Sequence, residues 1–288
     1  GNINVFAVDL QAYDEVLTRT SGLVPEFVNP KYKDPPKSTD ESKGKQPDGK
    51  LGLGFKKPTR LECMMQDLPR LFPKEIAAHH IGFTSLDRWL VCSSVKNNPT
   101  DAVKKMIKTG HPECMASGEA DFYRVNRMLL NKIGVNVKVD GGVSTRLGVR
   151  VSEGAKIVFK PSFASTIEEL VSKFPHPSLV SISDRSTLVL DGQGITVSAL
   201  TLDGALRICA QPKAAVVLGD EKEPLVVRNK GHVFEDIDPE KDQGDGEELL
   251  IRGYRCSMLD ERKKVFDNPG RYLLVGEWLE DSKLPLRS

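Results

Sequence analysis

A six-residue periodicity in the second half of the chain most constrains what the chain can fold into. The segment STLVLDG at residues 186–192 returns as SALTLDG at residues 198–204, twelve residues later. Five positions share one six-residue register: Leu190, Thr196, Leu202, Ile208 and Ala214. Short strands that turn about every six residues bring equivalent positions into one core, which predicts stacked β-helix coils. An antiparallel meander with Asp-Gly turns is the alternative.

Length and composition limit the class of protein. The 288 residues suffice for two ordinary domains, and 39% hydrophobic with 28% charged residues is typical of a soluble globular protein. A net charge of +1 does not predict a nucleic-acid partner, and no apolar run is long enough to predict a membrane span. The chain begins without a signal-peptide pattern, and its five cysteines form no C-x-x-C pair. We therefore expect reduced thiols in a cytoplasmic protein.

The first stretch, residues 1–34, predicts a strand, a helix and a second strand. INVFAVDL is apolar and rich in β-formers, and because a strand is already under way at the first residues, we expect a piece of a larger protein. QAYDEVLTRTSG has apolar residues at helical spacing and ends at Gly22. Residues 24–28 predict a strand that leads into the Asn29-Pro30 loop.

Two further helices and a strand region are predicted before residue 145. TRLECMMQDLPRLF predicts a helix that begins at Thr59, with Glu62 completing a capping box, so Glu62 is read as a cap and not as a catalytic acid. IGFTSLDRWLVCSSV, residues 81–95, predicts one or two strands. SGEADFYRVNRMLLNKIG predicts a helix capped by Ser117 and ended by Gly134.

Two segments differ in composition from the rest of the chain, residues 35–54 and the C-terminal half. Residues 35–54 hold almost no large apolar side chains, which predicts a flexible surface loop. Its tail, KLGLGFKK, lacks the flanking strand and helix that a phosphate-binding glycine loop needs. Residues 146–288 predict a β-rich domain that includes a helix, TIEELVSKF, and a closing strand and cap in the last 30 residues.

Two lysines lie in stiff polar loops outside any amphipathic pattern. EFVNPKYKD places Lys31 beside Asn29 and Pro30, and SSVKNNPTDA places Lys96 three residues before Pro99. A cation at a strand end, on a loop stiffened by proline, is well placed to meet an anion. The alternative is an exposed lysine that serves only solubility.

Four stretches together carry a family resemblance. EFVNPKYKD, TRLECMMQD, VKNNPTDA and SGEADFYRVN occur in the same order in the UDP-sugar pyrophosphorylases, relatives of the UDP-glucose and UDP-N-acetylglucosamine pyrophosphorylases. GNINVFAVDL also resembles the strand that carries a sugar-side asparagine motif in that group. The resemblance is strong over roughly residues 1–130 and looser through RSTLVLDG and LTLDGAL. The family's glycine-rich nucleotide loop is not in this sequence, so the chain resembles the C-terminal portion only.

The resemblance implies a fold and a reaction. The fold class is α/β, with residues 1–145 as the rear part of a Rossmann-like nucleotidyltransferase domain and residues 146–288 as a small β-rich domain with β-helix character. The implied reaction converts UTP and a sugar 1-phosphate to a UDP-sugar and pyrophosphate. Mg²⁺ is the implied cofactor, and its ligands are expected outside this chain.

The resemblance also implies roles for particular residues. Lys96 matches the family lysine at the phosphates and is the expected catalytic residue. The expected substrate-binding residues are Asn2, Asn4, Asn29 and Lys31. Asn2 and Asn4 alternate along the predicted strand, so both side chains would face the same way.

Other polar residues are predicted to be structural. His79 and His80 have no carboxylate or cysteine neighbours at ligand spacing, which predicts a surface pair and no metal site. Asp184 and Arg185 are expected to make turn contacts.

A catalytically silent β-helix module for binding or assembly is the main alternative function. A hexapeptide-repeat acyltransferase is disfavoured, because the register spans only about four coils and carries no histidine base. The sequence does not fix the oligomeric state.

Overall fold

The computed structural model describes residues 3, 5–30, 55–238, 240–242, 246–279 and 284–287. The predicted flexible loop, residues 35–54, lies outside the described residues. The chain divides into two compact units, Gly1–Leu86 and Asp87–Ser288. Helices and several parallel sheets confirm the α/β class, whereas a domain boundary after residue 145 stays a prediction.

Seven α-helices lie in the described part of the chain. They are α1 (Leu10–Thr20), α2 (Lys74–His80), α3 (Arg88–Val91), α4 (Pro99–Thr109), α5 (Met115–Lys132), α6 (Ile167–Lys173) and α7 (Glu247–Arg252). Asp9 caps α1 by accepting a hydrogen bond from the N–H of Ala12, and the helix ends at Ser21 and Gly22 as predicted. Thr166 caps α6, which confirms the helix predicted there. None of the described helices is long and apolar enough to cross a bilayer.

The first unit contains a two-stranded antiparallel sheet where a helix was predicted. Strand β1 (Glu26–Asn29) pairs with β2 (Arg60–Cys63), and a 3₁₀ helix follows at Met65–Leu71. The helix predicted from Thr59, and the capping role of Glu62, are therefore wrong. Pairing with β1 satisfies the backbone of this segment, and Pro69 disfavours an α-helix after it.

Two predicted strand regions are also wrong. The described residues of INVFAVDL form no strand before α1, and Val5 is 76% exposed. Residues 81–95 contain the short helix α3 between irregular segments. A strand needs a hydrogen-bonded neighbour, and no described segment pairs with either stretch to form a sheet.

Helix α5 confirms the long predicted helix but begins before Ser117. Cys114 is the N-cap residue. The hydroxyl of Ser117 accepts from the N–H of Cys114 at 3.1 Å and donates to the carbonyl of Cys114 at 3.0 Å. Ser117 is thus the third residue of the helix and supports its first turn, and the predicted position of the cap is wrong.

The second unit contains three mainly parallel sheets. The first sheet holds β3 (Asn136–Val137), β7 (Val180–Ile182), β10 (Leu200–Asp203), β13 (Leu225–Arg228) and β18 (Gly276–Glu277). The second holds β6 (Lys156–Phe159), β8 (Thr187–Asp191), β11 (Ala205–Ala210) and β16 (Arg262–Phe266). The third holds β9 (Ile195–Val197), β12 (Ala214–Leu218), β17 (Gly270–Leu274) and the antiparallel β19 (Leu286–Arg287). From β7 to β12, consecutive strands enter the first, second and third sheets in turn, which excludes an antiparallel meander here.

The six-residue register advances by one sheet at each step. Leu190 lies in β8, Thr196 in β9 and Leu202 in β10. Ile208 in β11 returns to the second sheet and pairs with Leu190, eighteen residues earlier. The two copies of the twelve-residue repeat therefore lie in different sheets, and the residues that stack are 18 apart between β8 and β11, 20 apart between β7 and β10 and 21 apart between β9 and β12.

One hydrophobic core takes its side chains from all three sheets. Leu190, Ile208 and Leu218 are fully buried in it, together with Leu130 of α5. Each such side chain stabilises the fold by about 1.5–3 kcal/mol relative to an exposed one.

Two hairpins complete the unit, β4 (Gly142–Arg146) with β5 (Val149–Glu153), and β14 (Gly231–Asp236) with β15 (Tyr254–Asp260). Strand β17 confirms the predicted closing strand.

Candidate functional site

The Lys96 segment is fixed at its backbone and open at its side chain. The N–H groups of Lys96 and Asn97 both donate to the carbonyl of Glu113, at 2.8 and 3.0 Å. The Lys96 side chain is exposed, and within the described part of the chain its ammonium forms no ion pair. This arrangement presents a cation from a fixed point of the backbone.

The residues after Lys96 start helix α4. The side-chain oxygen of Asn98 accepts from the N–H of Asp101 at 2.9 Å, and Pro99 is the first helical residue. Proline suits that position because its missing N–H would have no helical partner. Pro99 thus ends the Lys96 segment at the start of a helix, and its stiffening of the loop stays a prediction.

Glu113 joins the Lys96 segment to two helices. Its φ of 52° lies in the left-handed region, which is uncommon for a residue with a side chain. Its carboxylate lies 3.6 Å from the ammonium of Lys105 in α4 and 3.8 Å from the guanidinium of Arg88 in α3. The carbonyl that accepts from the N–H of Lys96 thus belongs to a residue whose side chain pairs with both α3 and α4.

His111 supports the same turn. Its Nδ1 accepts from the N–H of Glu113 at 3.2 Å, so Nδ1 carries no proton and Nε2 does. Nε2 donates to Asp121 at 3.1 Å, and the hydroxyl of Ser93 donates to the same carboxylate oxygen at 2.6 Å. Because Ser93 contacts the carboxylate and not the imidazole, the three residues are not arranged as a nucleophilic triad.

A cleft of about 720 Å³ lies beside this network, between α3 and α5. Its lining includes Arg88, Trp89, Cys92, His111, Phe122 and Arg124. Gly118 of α5 is needed at its edge, because a Cβ there would lie 2.5 Å from a methyl group of Val95. The missing side chain lets the residue before Lys96 approach the helix.

Asn29 is the only predicted substrate-binding residue in the described part of the chain. It ends β1 in the first unit, and its side-chain amide donates to the carboxylate of Glu62 at 3.1 Å. Glu62 therefore holds an asparagine instead of capping a helix. Asn2, Asn4 and Lys31 lie outside the described residues.

The predicted structural residues occupy ordinary positions. His79 and His80 are exposed at the end of α2, as expected for a surface pair. Asp184 accepts from Lys138 at 2.9 Å, and Arg185 donates to Asp203 at 2.7 Å, so both make the expected turn contacts. Among the described residues, no group of three or more His, Cys, Asp or Glu side chains could hold a metal ion. The described residues therefore offer no cluster of three such side chains for Mg²⁺.

The sequence analysis did not single out His111, Glu113 or Asp121. Their shared role appears only when α5 packs beside the Lys96 segment, which closes contacts across 15 to 28 residues. Gly110 and Pro112 were the available signal, since glycine and proline together indicate a turn.

Curated relatives match almost the whole chain. It is 36% identical to the UDP-sugar pyrophosphorylase of Arabidopsis thaliana over 274 residues, which is 94% of this chain. This chain belongs to the UDP-sugar pyrophosphorylase family. UDP-sugar pyrophosphorylases of Oryza sativa subsp. indica and subsp. japonica are 36% and 35% identical over 91% of the chain. The chain spans 38–40% of the length of these relatives. No protein-family model matches the chain.

Two of the four stretches that resemble UDP-sugar pyrophosphorylases meet in the second unit. VKNNPTDA supplies Lys96 and the first turn of α4, and SGEADFYRVN lies within α5. The two are joined where Asn97 pairs with Cys114 and where Gly118 contacts Val95. The family resemblance predicted from the sequence is confirmed, and two of its motifs form one structural site.

Proposed function

We propose that this chain is the C-terminal portion of a uridylyltransferase that converts UTP and a sugar 1-phosphate to a UDP-sugar and pyrophosphate. The observation that carries the proposal is the 36% identity, over 94% of the chain, to a UDP-sugar pyrophosphorylase. Residues 1–145 would complete a Rossmann-like nucleotidyltransferase domain, and residues 146–288 would form a β-rich domain. The recurrence of the three sheets at every third strand supports β-helix character in that domain.

The chemistry asks the protein to position two polyanions. An oxygen of the sugar phosphate attacks the α-phosphorus of UTP, the new P–O bond forms, and the bond to the departing pyrophosphate breaks. Charge develops on the transferring phosphoryl group, and fixed cations stabilise it most effectively. The exposed ammonium of Lys96 on a hydrogen-bonded backbone supports its role as the catalytic cation.

The remaining site residues are proposed from the family. Asn29, Asn2, Asn4 and Lys31 would contact the sugar phosphate. The NH₂ group of Asn29 donates to Glu62, which leaves its side-chain oxygen to accept from a sugar hydroxyl. Mg²⁺ is the proposed cofactor, with ligands outside the described residues, and it would neutralise phosphate charge. Five free cysteines support a reducing, cytoplasmic location, and the net charge of +1 gives no reason to add a nucleic-acid partner.

Lys96→Ala tests the proposal in a full-length protein that carries this chain. We expect kcat to fall by about a hundredfold or more, the scale found when one preorganised charge-stabilising donor is removed. Lys96→Arg should restore only part of the activity, because a planar guanidinium does not replace a compact ammonium. Lys104→Ala is the matched control, since that lysine is 74% exposed on α4 and pairs only with Asp101. The measurement is steady-state release of pyrophosphate, with folding checked by circular dichroism.

The chain by itself should release no pyrophosphate, because its sequence lacks the glycine-rich nucleotide loop. Turnover by the chain alone would contradict the proposed division of the enzyme. A folded Lys96→Ala variant with normal kcat and KM would remove Lys96 from the active site. If the full-length protein also released none, the silent binding or assembly module would be the better reading.

A further inference from the structure

We infer that Asn97 is a positioning residue for Lys96. Its side-chain amide fastens the Lys96 loop to the Pro112–Glu113 turn, which His111 braces from the other side. The inference rests on the proposed function of Lys96, and it adds a residue that acts through Lys96 without touching the substrate.

Asn97 turns a single attachment into two. The N–H groups of Lys96 and Asn97 converge on one acceptor, the carbonyl of Glu113. The Nδ2 of Asn97 donates to the carbonyl of Pro112 at 2.9 Å and to that of Glu113 at 3.3 Å, which adds a second anchor point.

The chemistry of the position favours asparagine. One short side chain must offer two N–H donors to two neighbouring carbonyls, which an amide does and a hydroxyl or carboxylate does not. Glutamine carries the same amide on a chain longer by one methylene. Asn97 is half-buried, so its bonds to the turn face less competition from water than those of an exposed residue.

The anchor itself is held in place. Pro112 is buried and has a fixed φ, and Glu113 has its left-handed backbone stabilised by the bond from its N–H to His111. His111 in turn donates to Asp121 of α5. Helix α5, the longest helix described, thus holds the backbone at Lys96 in place. It does so through the side chains of Asp121 and His111 and through the Pro112–Glu113 turn.

Hydrogen exchange on this chain tests the structural half of the inference. In Asn97→Ala, the amides of Lys96 and Asn97 should exchange about fivefold faster than in the wild type, because a hydrogen-bonded anchor has been lost. Asn131→Ala is the matched control, since Asn131 also donates from Nδ2 to a backbone carbonyl, that of Val137 at 3.1 Å. It should leave the two amides of the Lys96 loop unchanged. Asn97→Ser serves as a milder variant if Asn97→Ala does not fold.

Kinetics on the full-length protein test the functional half. Asn97→Ala should lower kcat by roughly tenfold, with a smaller change in KM, because misplacing a catalytic group by a fraction of an ångström slows the chemical step. The double variant Lys96→Ala/Asn97→Ala should be no slower than Lys96→Ala, since Asn97 acts only through Lys96.

The outcomes separate the two proposals. Unchanged exchange at Lys96 and Asn97, a normal kcat in Asn97→Ala, or additive losses in the double variant would each overturn the inference. If Lys96→Ala lowers kcat and Asn97→Ala leaves kcat normal, the inference about Asn97 fails while the proposed function of Lys96 stands. A fully active Lys96→Ala variant would instead contradict the proposed function.

Discussion

At the scale of single residues, Glu153 shows how the fold uses one carboxylate to join several elements. It accepts from Ser144 at 2.6 Å, from Arg146 at 2.8 Å and from Lys156 at 2.8 Å. Burial by itself would raise the pKa of Glu153, but these donors together lower it to about 2. A carboxylate with a depressed pKa stabilises the fold above its unfolded pKa and loses that contribution as the pH falls toward 2.

Glu153→Gln should therefore have a pH-dependent cost. At pH 7 we expect the free energy of unfolding to fall by about 2–3 kcal/mol, since a neutral amide replaces the charge that three donors share. The difference should shrink as the pH falls from 4.5 toward 2, because the carboxylate becomes protonated first in the unfolded chain and then in the folded protein. Urea denaturation at pH 7 and at pH 3 measures both values. Glu235→Gln, at an exposed position of β14, is the control, and an equal loss at both pH values in Glu153→Gln would contradict the expectation.

At the scale of elements, an ion pair fastens α7 to α5. Arg252 donates to both carboxylate oxygens of Glu119, at 2.8 and 2.6 Å, and its guanidinium lies 4.2 Å from the ring centre of Tyr254 in β15. Tyr123 donates to the same carboxylate at 2.9 Å. One bidentate pair thus joins α5, α7 and the β14–β15 hairpin.

Arg252→Ala should loosen that hairpin. The side chains of Arg252 and Glu119 are both about four-fifths buried. Removing Arg252 leaves the carboxylate of Glu119 charged, unpaired and poorly solvated, so we expect the free energy of unfolding to fall by about 2–3 kcal/mol. Arg252→Lys should recover only part, because an ammonium cannot form the planar two-point contact. The exposed pair of Arg228 and Glu277 provides the control, and Arg228→Ala should cost at most about 0.5 kcal/mol. Urea denaturation gives the energies, and faster hydrogen exchange in β14 and β15 would locate the effect. Equal losses in the two alanine variants would contradict it.

At the scale of the whole second unit, successive turns of the chain pack against one another closely. A Cβ at Gly194 would lie 1.9 Å from the carbonyl oxygen of Ala214, and one at Gly219 would lie 1.8 Å from that of Ala199. Both contacts are with backbone, which cannot move aside as a flexible side chain can. The spacing between turns therefore leaves no room for a side chain at either glycine.

Gly194→Ala tests this packing. The substitution should lower the free energy of unfolding by about 1–3 kcal/mol, because the added methyl forces the backbone of neighbouring turns apart. Gly82→Ala is the control, as a Cβ there has no neighbour within 4 Å and should change stability by less than about 0.5 kcal/mol. Urea denaturation followed by circular dichroism measures both. A Gly194→Ala protein as stable as the wild type would show that the turns are less tightly packed than the structure indicates.

The sequence by itself determined those features that depend on residues close together in the chain, such as helices and short repeats. Helices α1 and α5 were predicted because apolar spacing and a glycine stop lie within each segment, and α6 was predicted from TIEELVSKF alone. The six-residue register was readable because short strands follow one another at about that spacing, so that Leu190, Leu202 and Ile208 are all buried. Four motifs in order indicated the family, although they said nothing about how Lys96 is held.

Only the tertiary structure decided the rest. Residues 60–63 became a strand because β1 supplied its hydrogen-bond partners, and residues 88–91 became a helix where no described strand lay alongside. The eighteen-residue stacking of Leu190 on Ile208, and the attachment of Lys96 to Glu113, join residues distant along the chain. A strand or a bound loop satisfies its polar backbone groups with partners far away in sequence, so local preference cannot identify those partners.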